Sequence, residues 1–334
     1  MKGKFFMKCG ITQNIAKNLV FIDGITRSGK SVFTGIIPSL RDFEHIQFYL
    51  LMELMIPAVS LGLTDAEYVK TVLRLHMGEV AYNLLLARGM NFRYEDETGV
   101  LNYKDPQVYY ERLARQEGDK IIEDLLCHKR FIPFHTHDLL VNLEHLNKMD
   151  IDYKMISVFR HPIDNSHSWW TRGWGERFGV DPRSFTFCID YEGKLVPWYV
   201  AGFEKEWLEL NPKERCIKTS ISLIKRAVNQ YKNTSEKNKI HLIKFKDFVQ
   251  NPHEQIEKIC AFLNTNTTQH TEHFIRKAKC PRVLNLKERD SNLAELKSGV
   301  KKEIFELLLE TSESYETDFY GLHKKENLAK EKMV

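Results

Sequence analysis

Leu19-Val20-Phe21-Ile22-Asp23-Gly24-Ile25-Thr26-Arg27-Ser28-Gly29-Lys30-Ser31 is the stretch that decides the fold. Four consecutive apolar residues before an aspartate leave no wet face, so they read as a strand covered on both sides, as in a parallel sheet. The glycines that follow let backbone N–H groups turn toward an anion. Ser31-Val32-Phe33-Thr34-Gly35-Ile36-Ile37 then predicts a helix whose positive end adds to them. Strand, glycine loop and helix, in that order, open a nucleotide-binding α/β unit. Taken alone, Gly-x4-Gly-Lys-Ser fits a nucleoside triphosphate.

Apolar runs recur downstream. Phe131-Ile132-Pro133-Phe134 predicts a short strand ending in His135-Thr136-His137-Asp138. Tyr153–Phe159 predicts a buried strand ending at Arg160, and Lys239–Phe245 predicts another. Helical periodicity lies between them, at Asp65–Arg88 with Gly89 as terminator, Pro106–Cys127, Val141–Leu146, Asp164–Trp170, Tyr199–Leu208, Ile217–Thr234 and Pro252–Leu263. The alternation predicts an α/β fold: a doubly wound parallel sheet with a P-loop-like phosphate-binding loop and a helical insertion at about 45–125. The expected organisation is an N-terminal arm at 1–18, a single domain at 19–323 and a charged tail at 324–334.

Lys+Arg 49 against Asp+Glu 45 leaves +4, too balanced for a nucleic-acid surface. Six cysteines without CxxC spacing read as reduced thiols rather than disulfides or a zinc site. The greasy stretch Ile46–Leu63 contains Gln47, Glu53 and Pro57, so a buried strand or helix pair is expected there rather than a membrane span. Met1–Lys8 has no apolar h-region. A cytoplasmic protein with no metal and no nucleic-acid partner is expected; nothing in the pattern sets its oligomeric state.

Arg160-His161-Pro162-Ile163-Asp164, followed by Ser168-Trp169-Trp170, narrows the nucleotide. A metal-dependent triphosphate site usually has an aspartate at a second strand end. Here that strand ends in arginine, which points to metal-free binding of an anion. Pro162 suits the first turn of a helix and Asp164 its positive end. Together with the loop, this stretch resembles the sulfotransferases, whose donor is 3′-phosphoadenylyl sulfate (PAPS). The resemblance implies that Arg27 contacts the transferring sulfuryl group. Ser28, Gly29, Lys30, Ser31 and Val32 complete the 5′-phosphosulfate loop, with Lys30 and Ser31 on the phosphate. Arg160 and Ser168 take the 3′-phosphate, the group that separates this donor from ATP. Lys30 stands where threonine or glycine is common in the family. His241–Pro252, running on to Leu263, is similar to the family's scaffolding strand–turn–helix. Phe274-Ile275-Arg276-Lys277 resembles the start of a late Arg-Lys-Gly cofactor loop, with Ala278 in the glycine's place, and makes Arg276 a further donor-binding candidate.

Transfer to a hydroxyl needs a base. His135-Thr136-His137 resembles the family's Lys-Thr-His, which puts His137 in the place of the base and His135 in that of the lysine. Glu53 is the alternative base, because carbohydrate-modifying relatives use a glutamate in the early helical region. Asp23 and Asp138 are expected as hydrogen-bond partners. Trp169, Trp170, Trp174, Trp198 and Trp207 are candidates either for the core or for the wall of a sugar or aromatic acceptor site. The implied reaction moves a sulfuryl group to a hydroxyl-bearing carbohydrate (glycan), lipid or small-molecule acceptor. Two other readings stand beside it: a P-loop ATP-dependent small-molecule kinase, and a nucleotide-binding regulatory protein without turnover.

Overall fold

The computed structural model describes residues 8–11 and 13–322. The tail expected over 324–334 and the first seven residues of the arm lie outside them. The elements that set the architecture are β1 (Leu19–Asp23), β2 (Gln47–Phe48), β3 (Ile132–His135), β4 (Tyr153–Phe159), β5 (Cys188–Tyr191), β6 (Lys194–Pro197) and β7 (Ile240–Lys244). Five of them form one sheet in the order β2-β3-β1-β4-β7, and every pairing in it is parallel. β5 and β6 make a separate antiparallel hairpin.

All five residues of β1 are buried. Successive side chains of a strand point to opposite faces. Accordingly Leu19 and Phe21 join one core with Tyr153, Met155 and the helix Ala66–Leu84, while Val20 and Ile22 join a second core with Phe33, Val158, Ile243 and Phe248. Register then places the site. Ile22 pairs with His135 and Asp23 with Ser157, so β1 and β3 end at nearly one level and β4 runs two residues further. Strand order reverses on either side of β1, the position at which doubly wound sheets hold ligands.

The insertion is not wholly helical. Gln47–Phe48 pairs with Phe134–His135 and forms the sheet edge, before the helix Leu50–Ser60. Two residues are too few to leave an alternating pattern. The periodicity over Pro106–Cys127 splits into the helices Gln107–Arg112 and Asp119–Cys127, broken at Gly118 (φ +130°). The helix expected at Tyr199–Leu208 is shorter, Glu204–Glu209, and the β5–β6 hairpin precedes it. The one expected from Ile217 begins at Pro212, where Asn211 and Glu214 form a reciprocal capping box. Two further helices, Leu286–Lys297 and Lys302–Thr317, pack late in the chain.

A buried ion cluster ties the insertion to β3. Both Glu44 carboxylate oxygens accept from Arg112, and Arg130 and Tyr109 add one bond each. Burial pushes the Glu44 carboxyl up, but Arg112 and its neighbours outweigh this and hold it below the usual carboxylate range.

Candidate active site

The loop after β1 has the conformations its glycines permit. Gly24 (φ +154°) lies so close to the Val158 carbonyl and Ser28 Oγ that a Cβ would clash with both. Gly29 has φ +90°, and a Cβ there would sit 2.6 Å from the Phe245 ring. Between them Arg27, not a glycine, adopts φ +72°. Such backbone costs about 1–3 kcal/mol and persists only where the surroundings impose it. Here they do. Asp138 accepts from Thr26 N (3.0 Å) and Thr26 Oγ1 (2.8 Å). The Thr26 carbonyl accepts from Asn165 Nδ2 (3.0 Å) and Trp169 Nε1 (2.7 Å). Asn165, Ser168 and Trp169 are three and four residues apart on the helix Pro162–Trp170, and so share the face that meets the loop. Trp169 is therefore a clamp on the loop.

Ser168 Oγ accepts from Arg27 Nε (3.1 Å), and an Arg160 terminal nitrogen reaches the Arg27 carbonyl at 3.4 Å. Both expected ends of the donor site thus converge on Arg27. A cavity of ≈ 230 Å³ opens there, lined by Arg27, Gly29, Lys30, Ser31, His135, His137 and Arg160, with Phe48 and Glu97 completing it. Two atoms on these lining residues, Arg160 Nε and His135 Nδ1, are buried without a partner. Burial, then Arg172 and Arg160, press against the charge on Arg27. An anion fits this crowd of cations. Lys30 is buried, and its Nζ donates inward to the Gly24 carbonyl (3.1 Å) under the loop. Burial lowers its pKa, opposed by Asp138, Asp23 and Glu53.

The two candidate bases, 84 residues apart, are in contact. Glu53 Oε1 accepts from the His137 backbone N–H (2.9 Å) and lies 3.0 Å from His137 Nδ1. Their side chains are 19% and 32% exposed, at the junction of the donor cavity with a second one. Burial pushes Glu53 up to about 8, with Asp23 adding to this and Lys30 opposing it. Burial and the positive charge of Lys30 hold His137 well below the usual imidazole value, and His135, stacked on it at 5.1 Å, likewise. Asp138 is pushed up to about 6 by burial, against Lys30 and its Thr26 bonds. Asp23 is structural: it accepts from Thr136 Oγ1 and from the backbone N–H groups of Leu139 and Leu140.

The second cavity, ≈ 380 Å³, shares Arg27, Phe48 and His137 with the first and is bordered by Glu53, Trp174 and Trp198. Trp207 is core, its Nε1 donating to Thr219, and Trp170 bonds Glu295 on the helix Leu286–Lys297. Arg276 does not join the donor cavity. It lies in the helix Thr271–Lys277, 73% exposed, facing Glu272. Arg282 instead lies over the same Phe245 ring as Arg160, at 5.7 and 5.6 Å. Sequence reading missed Arg282, and it missed Glu97, which hydrogen-bonds Ser31 and lies in the field of Arg27. No local pattern marks either residue.

The family model for the sulfotransferase domain matches residues 41–306, most of the chain, and the chain belongs to the sulfotransferase family. It is a sulfotransfer enzyme. Solved structures similar to it include the sulfotransferase domain from the curacin biosynthetic pathway, at 11% identity and TM-score 0.43, covering 89% of this chain and 98% of that one. A sulfotransferase from Alicyclobacillus acidocaldarius matches at 13% and TM-score 0.38, covering 89% and 94%. Mouse sulfotransferase SULT7A1 complexed with PAP matches at 13% and TM-score 0.32, covering 93% and 80%. No curated protein matches the chain. Among the described residues, no helix is long and apolar enough to cross a membrane, and no cluster of three or more His, Cys, Asp or Glu side chains is placed to hold a metal.

Proposed function

We propose that this enzyme transfers a sulfuryl group from PAPS to the hydroxyl of a carbohydrate, lipid or small-molecule acceptor, and that residues 19–323 act as one domain in doing so. The observation that carries the reading is the pair of cavities meeting at Arg27 and His137. One is a cradle with Arg27, Lys30 and Arg160 in its lining, suited to an anionic donor. The other is a separate chamber, suited to an acceptor. An adjoining space of ≈ 330 Å³ beside Val32 and Phe274 shares Ser31 with the cradle and has room for the donor's nucleoside. Ser28, Gly29, Lys30, Ser31 and Val32 hold the 5′ side, and Arg160 with Ser168 holds the 3′-phosphate. Six unpaired cysteines agree with a reducing, cytoplasmic setting.

When bound, the donor supplies an SO₃ group whose bond to the 5′-phosphate breaks as the acceptor oxygen attacks sulfur. Arg27, common to both cavities, stabilises the charge that develops on the bridging and sulfuryl oxygens. His137 and Glu53 remove the acceptor's proton as a pair. With Glu53 ionised, His137 Nδ1–H donates to it and Nε2 presents its lone pair to the acceptor hydroxyl. With Glu53 protonated, the shared proton bonds to Nδ1 and the ring carries its hydrogen on Nε2, where it cannot accept another. Calorimetric titration in the presence of EDTA tests the donor. Adenosine 3′,5′-bisphosphate is expected to bind about tenfold or more tightly than adenosine 5′-phosphate, the cost of a lost charged hydrogen bond. Equal affinities would overturn the assignment.

A further inference from the structure

The acceptor chamber has few charged groups in its lining. Arg27, Glu53, His137 and Asp138 are its titratable lining, Arg27 and His137 being shared with the first cavity, and the rest of the wall is mainly apolar with a few hydroxyls. Phe48, Trp174, Phe185, Phe187, Trp198 and Tyr199 supply the rings, with Leu50 and Leu54 between them. Among the described residues, no lysine, asparagine or glutamine side chain lines the chamber. The hydroxyls of Thr26, Thr186 and Tyr199 are already engaged. Thr186 Oγ1 donates to the Ser184 carbonyl (3.0 Å), and the Tyr199 and Thr186 side chains are hydrogen-bonded to each other. Both indoles are backed by guanidinium groups, Arg177 over Trp174 at 4.9 Å and Arg226 over Trp198 at 5.5 Å, so the walls are braced.

We infer that the acceptor is a neutral alcohol or phenol on an apolar or aromatic skeleton, and not a glycan or an anion. The inference rests on the acceptor chamber proposed above. A sugar brings a hydroxyl on nearly every carbon, and each one buried here without a partner costs roughly tenfold in affinity. An anionic acceptor meets Glu53 and Asp138, and Arg27, the guanidinium of the lining, is shared with the donor. An apolar skeleton loses nothing on leaving water and gains the ring contacts.

The test is calorimetric binding of 4-propylphenol and of N-acetylglucosamine to the full chain, each with adenosine 3′,5′-bisphosphate present and absent. The phenol is expected to bind at least about tenfold more tightly than the sugar. Phe185 is 70% exposed at the chamber wall, so replacing it does not disturb the core. Phe185→Ser is expected to weaken phenol binding about fivefold or more and Phe185→Leu less than about twofold, with nucleotide affinity unchanged in both. A preference for the sugar, or full phenol affinity in Phe185→Ser, overturns the inference even where the nucleotide binds. Phenol binding without nucleotide binding leaves the inference standing and removes the PAPS assignment.

Discussion

The two cavities that meet at Arg27 and His137 are built in opposite ways. The donor side is local: eight consecutive residues, Gly24–Ser31, shape the cradle, and the strand-end Arg160 with its following helix closes it. The acceptor side is dispersed: Phe48 comes from the sheet edge, Glu53 from the next helix, Trp174 from the short helix Trp174–Arg177, Phe185 and Phe187 from a loop, and Trp198 from just past the hairpin. A phosphate or sulfate group demands fixed N–H directions, which only neighbouring residues with particular φ values supply. An apolar wall demands shape alone, which any large side chain from any segment supplies. The donor side can therefore be read from spacing, and the acceptor side only from packing.

The comparison breaks most visibly at the residue both sides share. His137→Ala is expected to lower turnover about 10²–10⁴-fold while adenosine 3′,5′-bisphosphate still binds nearly as in the native enzyme, since the proposal makes the lost group a base. Steady-state rates with parallel calorimetry check it. A loss confined to donor affinity would move His137 to the donor side. The pH profile sharpens the point. Glu53 is pushed up to about 8, so the pair carries its extra proton below that pH and is competent above it. Turnover should rise with pH through about 8, and Glu53→Gln should abolish that limb.

A smaller effect is expected at the cradle. Arg160→Ala should cost about tenfold or more in affinity for adenosine 3′,5′-bisphosphate and leave adenosine 5′-phosphate nearly unchanged, because the proposed site gives this side chain the 3′-phosphate alone. Equal losses for both nucleotides would place Arg160 on the 5′ side.

Smaller still is the expectation for Glu97, a carboxylate in an anion's cavity. Burial raises its pKa and Arg27 opposes this, so donor affinity should fall as pH rises and Glu97 ionises. Glu97→Gln should improve affinity about threefold and flatten that dependence. Arg276→Ala, by contrast, should change donor affinity by less than about twofold, since its guanidinium faces Glu272 in solvent. A larger loss would show that the late helix swings toward the donor.

Much of the fold was legible. A strand buried on both faces leaves an apolar run, unbroken in β1 and interrupted by Lys154 and Ser157 in β4 and by His241 in β7. β2 left none, because two residues cannot express a period. The capping box Asn211–Glu214 was present in the letters as Asn-Pro-x-Glu, and apolar periodicity alone began that helix too late. In the site, Arg27, Ser168 and Arg160 stood out because loop and strand end are short-range motifs. The Phe274–Lys277 stretch resembled a cofactor loop, yet forms helix and directs Arg276 outward.

The sequence by itself determined the strand and glycine loop after it, the cation at the end of β4 and the histidines at the end of β3. These are consequences of local periodicity and of φ values open mainly to glycine. Only the tertiary structure decided that Glu53 and His137 are partners and not rivals, that Arg282 rather than Arg276 lies beside Arg160, and that Trp169 clamps the loop while Trp174 and Trp198 line the chamber. Each of those facts depends on distance through space between residues far apart in the chain. Such distances are fixed by the register of β1 against β3 and β4 and by the packing of the insertion on the sheet, and no local pattern encodes either.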